Sequence, residues 1–445
     1  MTELKQENIG LLESLKIVFR SRNFVVILLT NYTGSFFFAA WIYFNLFFRD
    51  IGISYFELGI ANAFFFLIAM FATLFGGFWA DRHGGAARRL MATFNKFFIG
   101  IAALLLTLVN DIYGLLIVWT IFGLGQFCQA AIDPILFESI PPKQMGIGTS
   151  LFTVGGIFSI LGLVSVGVLI QGDFVEGLRL FFLLTSISSF VDFLIRFKFL
   201  KVSTNHFESP PARNPLREMF GQYRTGLNVF LVTIPLFALV FFIDVISDTS
   251  FQFAQNFYLN ETVQMSYTAI NYTMIGASCI GVIGGLVAGR LLDRTENEAK
   301  IMFQVYFLLP FSVLLLYYSP IFSQWITLLP GEEVWQVISS TAFIAVVIKS
   351  GNDVVWRTVA WGAVGRQLPR EHTGKVMAML AMVISFVGFI SSPIIGFIYQ
   401  TQGGEPLLLV SFVLNVTILL LLLFGWIRSS KSVQSHAEPK DPLTA

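Results

Sequence analysis

The sequence predicts an all-α membrane protein with twelve transmembrane helices in two pseudo-symmetric bundles of six. Three observations predict this fold. Of the 445 residues, 55% are hydrophobic and only 12% are charged, which is too little charge to cover the surface of a soluble protein of this size. Apolar runs long enough to span a bilayer recur along the chain. Lysine and arginine residues concentrate in alternate loops between these runs.

The apolar runs set the predicted helix positions, because a spanning helix needs about 20 predominantly apolar residues. In the first half they lie at 24–48, 58–79, 91–109, 112–136, 147–170 and 178–199. In the second half they lie at 228–258, 267–289, 301–319, 337–364, 376–399 and 406–427. The predicted organisation is a cytoplasmic N-terminal segment (1–23), one bundle (24–199), a cytoplasmic linker (200–227), a second bundle (228–427) and a disordered cytoplasmic tail (428–445).

The loop charges predict the orientation. With the N-terminus inside, the predicted outer loops contain two bases, Arg49 and Arg179, whereas the inner loops contain nearly all the others. Cytoplasmic loops carry the excess of lysine and arginine in membrane proteins. Both termini are therefore expected in the cytoplasm, and the plasma membrane is the expected location.

The cysteines and histidines do not form a recognisable metal-binding or disulfide pattern. Cys128 and Cys279 both lie in apolar runs, where they fit neither a disulfide framework nor a metal-ligand spacing. The histidines all fall in predicted loops or tails: His83, His206, His372 and His436. We therefore expect no cofactor, no metal site and no nucleic-acid partner, and a membrane enzyme is not favoured because no nucleophile motif is visible.

The two halves carry a related motif. GFWADR from Gly77 to Arg82 is matched in the second half by GRLLDR from Gly289 to Arg294. Repeated halves are common in transporters, where the substrate site lies between them. The repeat therefore predicts a binding site between the bundles.

The first copy of this motif resembles the signature of the major facilitator superfamily, a loop between helices 2 and 3 with Gly, Asp, a base, Gly and further bases. The resemblance implies two six-helix bundles, transport by alternating access, and a cytoplasmic gate in which ion pairs latch the halves. The residues that match the gate are Gly77, Asp81, Arg82, Gly84 and Arg88, with Asp293 and Arg294 in the second copy.

Two departures from the family disfavour a drug/proton antiporter. Many exporters carry an arginine in helix 4 four residues before a glycine, and here Trp119 stands before Gly123. The same exporters carry a Gly-Pro pair in helix 5, where this chain reads Leu-Gly-Leu from Leu161 to Leu163.

Charged residues inside predicted helices 7 and 10 are the main candidates for function. Each charge near the bilayer centre costs at least about 2.5–3.5 kcal/mol, so it needs a partner and usually has a role. Helix 7 carries Asp244 and Asp248, and helix 10 carries Lys349, Asp353 and Arg357, each one turn apart. A rise of about 1.5 Å per residue places Asp244 and Lys349 at similar depths, so we expect them to pair, with Asp353 as the alternative partner of the lysine.

These five residues are predicted to couple protons or bind substrate. Two alternatives stay open: a permanent ion-pair network, and direct binding of an anionic substrate by Lys349 or Arg357. The predicted polar lining of the cavity consists of Asn31, Gln126, Gln129, Gln252 and Asn271. Asp192 and Arg196 are expected to form a structural pair.

The sequence thus predicts a secondary active transporter of a small organic solute, coupled to protons or another ion, with symport favoured. The expected partners are the solute, the coupling ion and the lipid bilayer, and the expected state is a monomer. The alternatives are an exporter of amphipathic compounds and a transporter-like receptor that does not cycle.

The orientation leads to a first testable prediction. In a variant without Cys128 and Cys279, a cysteine introduced at Glu261 or Glu333 should react with an impermeant thiol reagent added to intact cells. Cysteines at Pro211 and Glu296 should react only after the cells are permeabilised. Labelling in the opposite pattern would reverse the predicted topology.

Overall fold

The structure is a computed structural model that describes residues 11–140, 151–152, 155–201, 215–233, 235–293, 298–321, 334–367 and 373–437. Within these residues the chain is helical almost throughout and contains no strand. The membrane helices are α1 (Arg22–Asp50), α2 (Tyr55–Ala80), α3 (Arg82–Leu106), α4 (Ile112–Gln129), α5 (Gly155–Leu169), α6 (Phe174–Phe199), α7 (Pro235–Thr262), α8 (Tyr267–Gly285), α9 (Ala299–Tyr317), α10 (Thr341–Gln367), α11 (Met379–Gln402) and α12 (Glu405–Ile427).

The helix count is consistent with twelve. Among the described residues, ten of these helices are long and apolar enough to cross a bilayer. The described part of α5 is apolar but only 15 residues long. The α10 helix is long enough, but Lys349, Asp353 and Arg357 make it more polar than an ordinary spanning helix. The charges of α10 therefore explain why its composition differs from that of the other membrane helices.

The α2 and α3 helices are continuous and bend at Gly84. A capping box starts α2: the Glu57 side chain accepts from Ser54 N at 2.9 Å, and Ser54 Oγ accepts from Glu57 N at 3.3 Å. Gly84 has φ 70° and ψ −160°, a conformation that favours glycine. The α3 helix therefore begins before the predicted position 91, because charged residues near the bend do not interrupt it.

The backbones of the two halves are in close contact where α2 packs against α11. A Cβ atom built on Gly59 would lie 2.5 Å from the Ser392 carbonyl oxygen, and one on Gly396 would lie 2.6 Å from the Tyr55 carbonyl oxygen. Small residues allow the backbones of membrane helices to approach in this way. This pair of glycines therefore permits the close packing of α2 on α11.

The segments outside the bundles are more helical than expected. A helix from Pro215 to Thr233 lies within and beyond the predicted linker, and its Tyr223 hydroxyl donates to the Leu74 carbonyl at 2.7 Å. The final helix continues past the membrane segment to Ala437. The predicted disorder of the tail from 428 stays a prediction, and 438–445 lie outside the described residues.

The glycine contact leads to a second prediction. Gly396→Ala should lower the free energy of unfolding by about 1–3 kcal/mol, because its methyl group would overlap the α2 backbone. Thermal unfolding of the purified protein measures this change. Gly221→Ala is the matched control, since a Cβ there has no atom within 4 Å and no loss of stability is expected. Equal behaviour of the two variants would contradict the proposed close contact.

Candidate functional site

A cavity of about 440 Å³ lies between the two halves of the molecule. Residues of α1, α2 and α4 line it from the first half, and residues of α7, α8, α10 and α11 line it from the second. Trp41 and Trp119 form part of its aromatic wall, and Gln252, Asp353 and Arg357 contribute polar groups. We refer to this space as the central cavity.

A charge cluster joins α7 to α10 beside the central cavity. Lys349 Nζ lies 2.5 Å from Asp353 Oδ2 and 3.6 Å from Asp248 Oδ1. Arg357 Nη2 lies 2.6 Å from Asp248 Oδ2, to which Gln252 Nε2 donates at 2.8 Å. One-turn spacing on each helix directs these side chains to a shared face. The structure thus brings four of the five predicted charged residues into contact, and their role in transport remains a prediction.

Lys349 is the most enclosed member of the cluster. The residue is 2% exposed, and its ammonium lies 4.6 Å from the centroid of the Phe251 ring. A buried cation needs compensating acids because desolvation removes the stabilisation that water provides. Asp353 provides the shorter contact and Asp248 the contact from α7, so the lysine ties the two helices together.

Asp244 has a different environment from the one expected. Its carboxylate accepts from the Tyr306 hydroxyl at 2.8 Å and from Trp356 Nε1 at 2.9 Å. Among the described residues, no lysine or arginine nitrogen forms an ion pair with it within 4.0 Å. The expected pairing of Asp244 with Lys349 was therefore wrong. Trp356 lies seven residues after Lys349 on α10, about 10.5 Å along the helix axis, so Asp244 lies nearer the level of Trp356 than that of Lys349.

The hydrogen bonds around Asp244 are compatible with both of its protonation states. The Tyr306 hydroxyl also lies 2.5 Å from Asn415 Oδ1, yet it has one hydrogen to donate. If Asp244 is ionised, turning the Asn415 amide lets its NH₂ group donate to the tyrosine. If Asp244 is protonated, it donates to the Tyr306 oxygen while the tyrosine donates to Asn415. The site therefore satisfies its polar groups with and without a proton.

The five predicted lining residues do not share one cavity. Gln252 lines the central cavity. Asn31, Gln126 and Gln129 instead line a second cavity of about 620 Å³ inside the first bundle, which we call the N-terminal cavity. Asn271 accepts from the Tyr43 hydroxyl at 2.5 Å and so joins α8 to α1. Periodicity indicated polar faces correctly but not which space each face lines.

A second charge cluster, missed by the sequence analysis, lies in the first bundle. Lys96 Nζ lies 2.8 Å from Asp192 Oδ2 and donates to the Thr30 carbonyl at 2.6 Å. Thr33 Oγ1 lies 2.8 Å from the same carboxylate oxygen. Lys96 stands alone within the apolar run at 91–109, and this lone base was the signal that could have indicated the cluster.

Arg196 belongs to the same region but is bound differently from the expectation. Its Nε donates to Thr30 Oγ1 at 2.9 Å and its Nη1 donates to the Ala92 carbonyl at 2.7 Å. The ion pair of Asp192 is made with Lys96. The predicted Asp192–Arg196 pair was therefore wrong, because a base from α3 reaches the carboxylate.

The described part of the predicted gate lies at the bend between α2 and α3. Gly77 faces the Tyr223 hydroxyl, which would be 3.5 Å from a Cβ there. Arg88 Nε donates to a backbone carbonyl at 3.0 Å, and the Arg82 guanidinium lies 5.8 Å from a phenylalanine ring. Gly84 is the bend residue. The side chains of Asp81 and Asp293, and all of Arg294, lie outside the described residues, so the latch remains a prediction.

A polar cluster around Arg49 bridges the halves at the end opposite to the gate. Arg49 Nη1 lies 2.7 Å from Glu261 Oε1, and Nη2 donates to the Tyr267 hydroxyl at 2.8 Å. The Tyr55 and Tyr399 hydroxyls donate to Glu261 at 2.6 and 3.0 Å. This Arg49 cluster connects α1 and α2 to α7, α8 and α11. The halves are therefore in contact at this end of the central cavity.

The sequence as a whole also matches a known family. A model of the Major Facilitator Superfamily matches residues 24–352, which is most of the chain. The chain belongs to the Major Facilitator Superfamily. It is therefore a multi-pass membrane transporter that moves a small-molecule substrate across a lipid bilayer. The resemblance identified from the loop motif is confirmed.

Solved structures of other transporters share this fold. The human organic anion transporter MFSD10 (TETRAN) has a TM-score of 0.64 and 13% identity, covering 90% of this chain and 99% of its own. A point mutant of the nucleoside transporter NupG has a TM-score of 0.67 and 12% identity, covering 90% and 98%. A POT family transporter in complex with 5-aminolevulinic acid has a TM-score of 0.65 and 14% identity, covering 94% and 96%. No curated protein sequence matches the chain.

The cluster between α7 and α10 leads to a third prediction. Lys349→Met should lower stability by about 3–5 kcal/mol, because it leaves Asp353 buried without its cation. Adding Asp353→Asn should restore much of this loss, since Asp248 keeps Arg357. Thermal unfolding of the single and double variants gives the coupling energy.

The matched control combines Lys349→Met with Asp244→Asn, which should show no comparable recovery. Asp244 is bound by Tyr306 and Trp356 in place of the lysine. Equal recovery in the two double variants would show that the lysine does not discriminate between the acids.

Proposed function

We propose that this transporter is a proton-coupled symporter of a small organic solute that works by alternating access. The solute binds in the central cavity, and Asp244 carries the coupling proton. In this proposal the protein acts as a monomer in the plasma membrane with both termini in the cytoplasm. The observation that carries the proposal is the absence, among the described residues, of a cation paired with Asp244 in an otherwise ion-paired cluster.

The charge balance of the cluster supports this role. With all its groups ionised, the acids Asp244, Asp248 and Asp353 outnumber the bases Lys349 and Arg357 by one. An uncompensated charge near the bilayer centre costs at least about 2.5–3.5 kcal/mol. One proton removes this excess. Asp248 and Asp353 already contact the bases, so the proton belongs on Asp244.

The position of Asp244 explains how the proton affects the cavity. Asp244 lies one turn from Asp248 on α7, and it is bonded to Trp356 on α10 and Tyr306 on α9. Adding a proton lets the Asp244 carboxyl group donate to the Tyr306 oxygen, whereas Trp356 Nε1–H remains a donor in both states. Protonation therefore reverses the hydrogen bond between α7 and α9. It also weakens the hydrogen bond between α7 and α10, because a neutral carboxyl group is a poorer acceptor than a carboxylate. Both α7 and α10 line the central cavity.

The related structures support the general class of substrate and no particular compound. By their descriptions, one transports organic anions, one transports nucleosides and one is bound to 5-aminolevulinic acid. These are different small organic molecules carried by one fold. The proposal therefore takes a small organic solute from them and leaves its identity to the chemistry of this chain.

The proposal predicts a selective effect of Asp244→Asn. In proteoliposomes, a gradient of one pH unit corresponds to about 1.4 kcal/mol and should drive about tenfold accumulation of a neutral solute with one proton. The variant should accumulate no solute above equilibrium, because the amide cannot carry the proton. It should retain solute exchange, because the size of the side chain is unchanged.

The solute for this assay is chosen by thermal-stabilisation screening of the purified protein. Glu405→Gln, at the start of α12, is the matched control and should keep both accumulation and exchange. Gradient-driven accumulation by Asp244→Asn would refute the assigned proton site. Accumulation that follows another ion in place of the pH gradient would refute proton coupling itself.

A further inference from the structure

We propose that the N-terminal cavity is a binding site for an organic monoanion with an apolar body. The cavity has a volume of about 620 Å³ and is enclosed mainly by α1, α3, α4, α5 and α6. The residues that line this cavity all belong to the first bundle, so binding there does not depend on the proposed function. That the bound anion is also the transported solute rests on the proposed function.

The shape of the N-terminal cavity suits an elongated molecule. Lys96 and Leu106 both line it, and their separation of ten residues on α3 corresponds to about 15 Å. Between them the wall is apolar and includes Ile99 and Ala103. Toward the far end Phe44 adds an aromatic surface. The cavity therefore offers one charged end and an apolar body.

The charged end carries an excess of positive charge. Lys96, Asp192 and Arg196 all line the cavity, and they are 5%, 3% and 2% exposed. Lys96 and Asp192 neutralise each other, which leaves the charge of Arg196. The carbonyl end of α6 offsets only part of that charge, because a helix terminus carries about half an elementary charge. A ligand with one negative charge would complete the balance.

Lys96 retains hydrogen-bonding capacity toward such a ligand. Its ammonium has three N–H groups, of which Asp192 and the Thr30 carbonyl engage two. A Cβ on Gly34 would lie 2.9 Å from Nζ, so the absence of a side chain at Gly34 allows the ammonium to occupy this position. Gly34 also lines the cavity. The third N–H is therefore available for a carboxylate.

Trp119 provides an independent indication of a ligand. The residue is 3% exposed, and its buried Nε1–H has no acceptor among the residues that the structure describes. A buried donor without a partner is unfavourable, so an acceptor on a bound molecule would stabilise it. Trp119 lines both the N-terminal and the central cavity, as do Trp41 and Phe44. A bound anion would therefore lie beside the central cavity, separated from it by these rings.

The test measures binding of 2-naphthoate and of its neutral counterpart 2-naphthamide to the full-length protein in lipid nanodiscs. Isothermal titration calorimetry is performed without a pH gradient, so the result does not depend on proton coupling. We expect 2-naphthoate to bind at least about tenfold more tightly, because its carboxylate makes charge-assisted hydrogen bonds. Equal affinities for the two compounds would overturn the proposal.

Two substitutions separate an anion site from a purely structural ion pair. Lys96→Met should abolish the preference for 2-naphthoate, because the local charge becomes neutral. Asp192→Asn should increase the preference, because it releases Lys96 from its ion pair. Glu405→Gln should bind like the unmodified protein. A preserved preference in folded Lys96→Met, or a reduced one in folded Asp192→Asn, would overturn the proposal. If Lys96→Met does not fold, the proposal is tested by comparing the preference for 2-naphthoate in Asp192→Asn with that in the unmodified protein.

A third substitution tests the indole donor. For 6-hydroxy-2-naphthoate, whose hydroxyl oxygen lies opposite to the carboxylate, Trp119→Phe should weaken binding about three- to tenfold through loss of one hydrogen bond. Binding of 2-naphthoate should change little, because the ring is retained. Equal losses for both compounds would exclude the indole N–H from the site. Binding of 2-naphthoate without gradient-driven uptake would support the anion site and count against the proposed transport function.

Discussion

The compensation of charge inside a bilayer governs much of this structure. The cluster between α7 and α10 holds Lys349 between Asp353 and Asp248, with Arg357 on the second oxygen of Asp248. Without these contacts Lys349 would be a buried and unpaired charge, at high cost. The same contacts set the position of α10 against α7. The wall of the central cavity therefore depends on the pairing of its charges.

The two bundles differ in the sign of their uncompensated charge. In the second bundle the acid without a paired base is Asp244, whereas in the first bundle a base exceeds the acids beside Lys96, Asp192 and Arg196. An excess of negative charge in the second bundle favours uptake of a proton. An excess of positive charge in the first bundle favours binding of an anion. Aromatic residues common to both cavities lie between them. A carboxylate solute that moves with a proton would be electrically neutral overall, which links the two proposals.

Contacts between the halves determine which part of the central cavity is enclosed. Close packing of α2 on α11 depends on the absence of side chains at Gly59 and Gly396. The Arg49 cluster adds hydrogen bonds and an ion pair at the end of the bundle away from the gate loop. These polar contacts can separate and re-form at lower cost than a continuous apolar interface, because water can replace their partners. They therefore provide a contact suited to the opening that alternating access requires.

Composition, apolar run length and the loop motif were enough to predict the helical fold and the family, because a bilayer admits few structures and imposes a minimum helix length. One-turn spacing likewise predicted that Lys349, Asp353 and Arg357 share a face. The placement of each helix along and about its axis relative to its neighbours was decided only by tertiary packing, so Asp244 contacts Tyr306 and Trp356, and Asp192 pairs with Lys96. The Arg49 cluster joins residues that are far apart in the chain, so no local sequence pattern could predict these contacts.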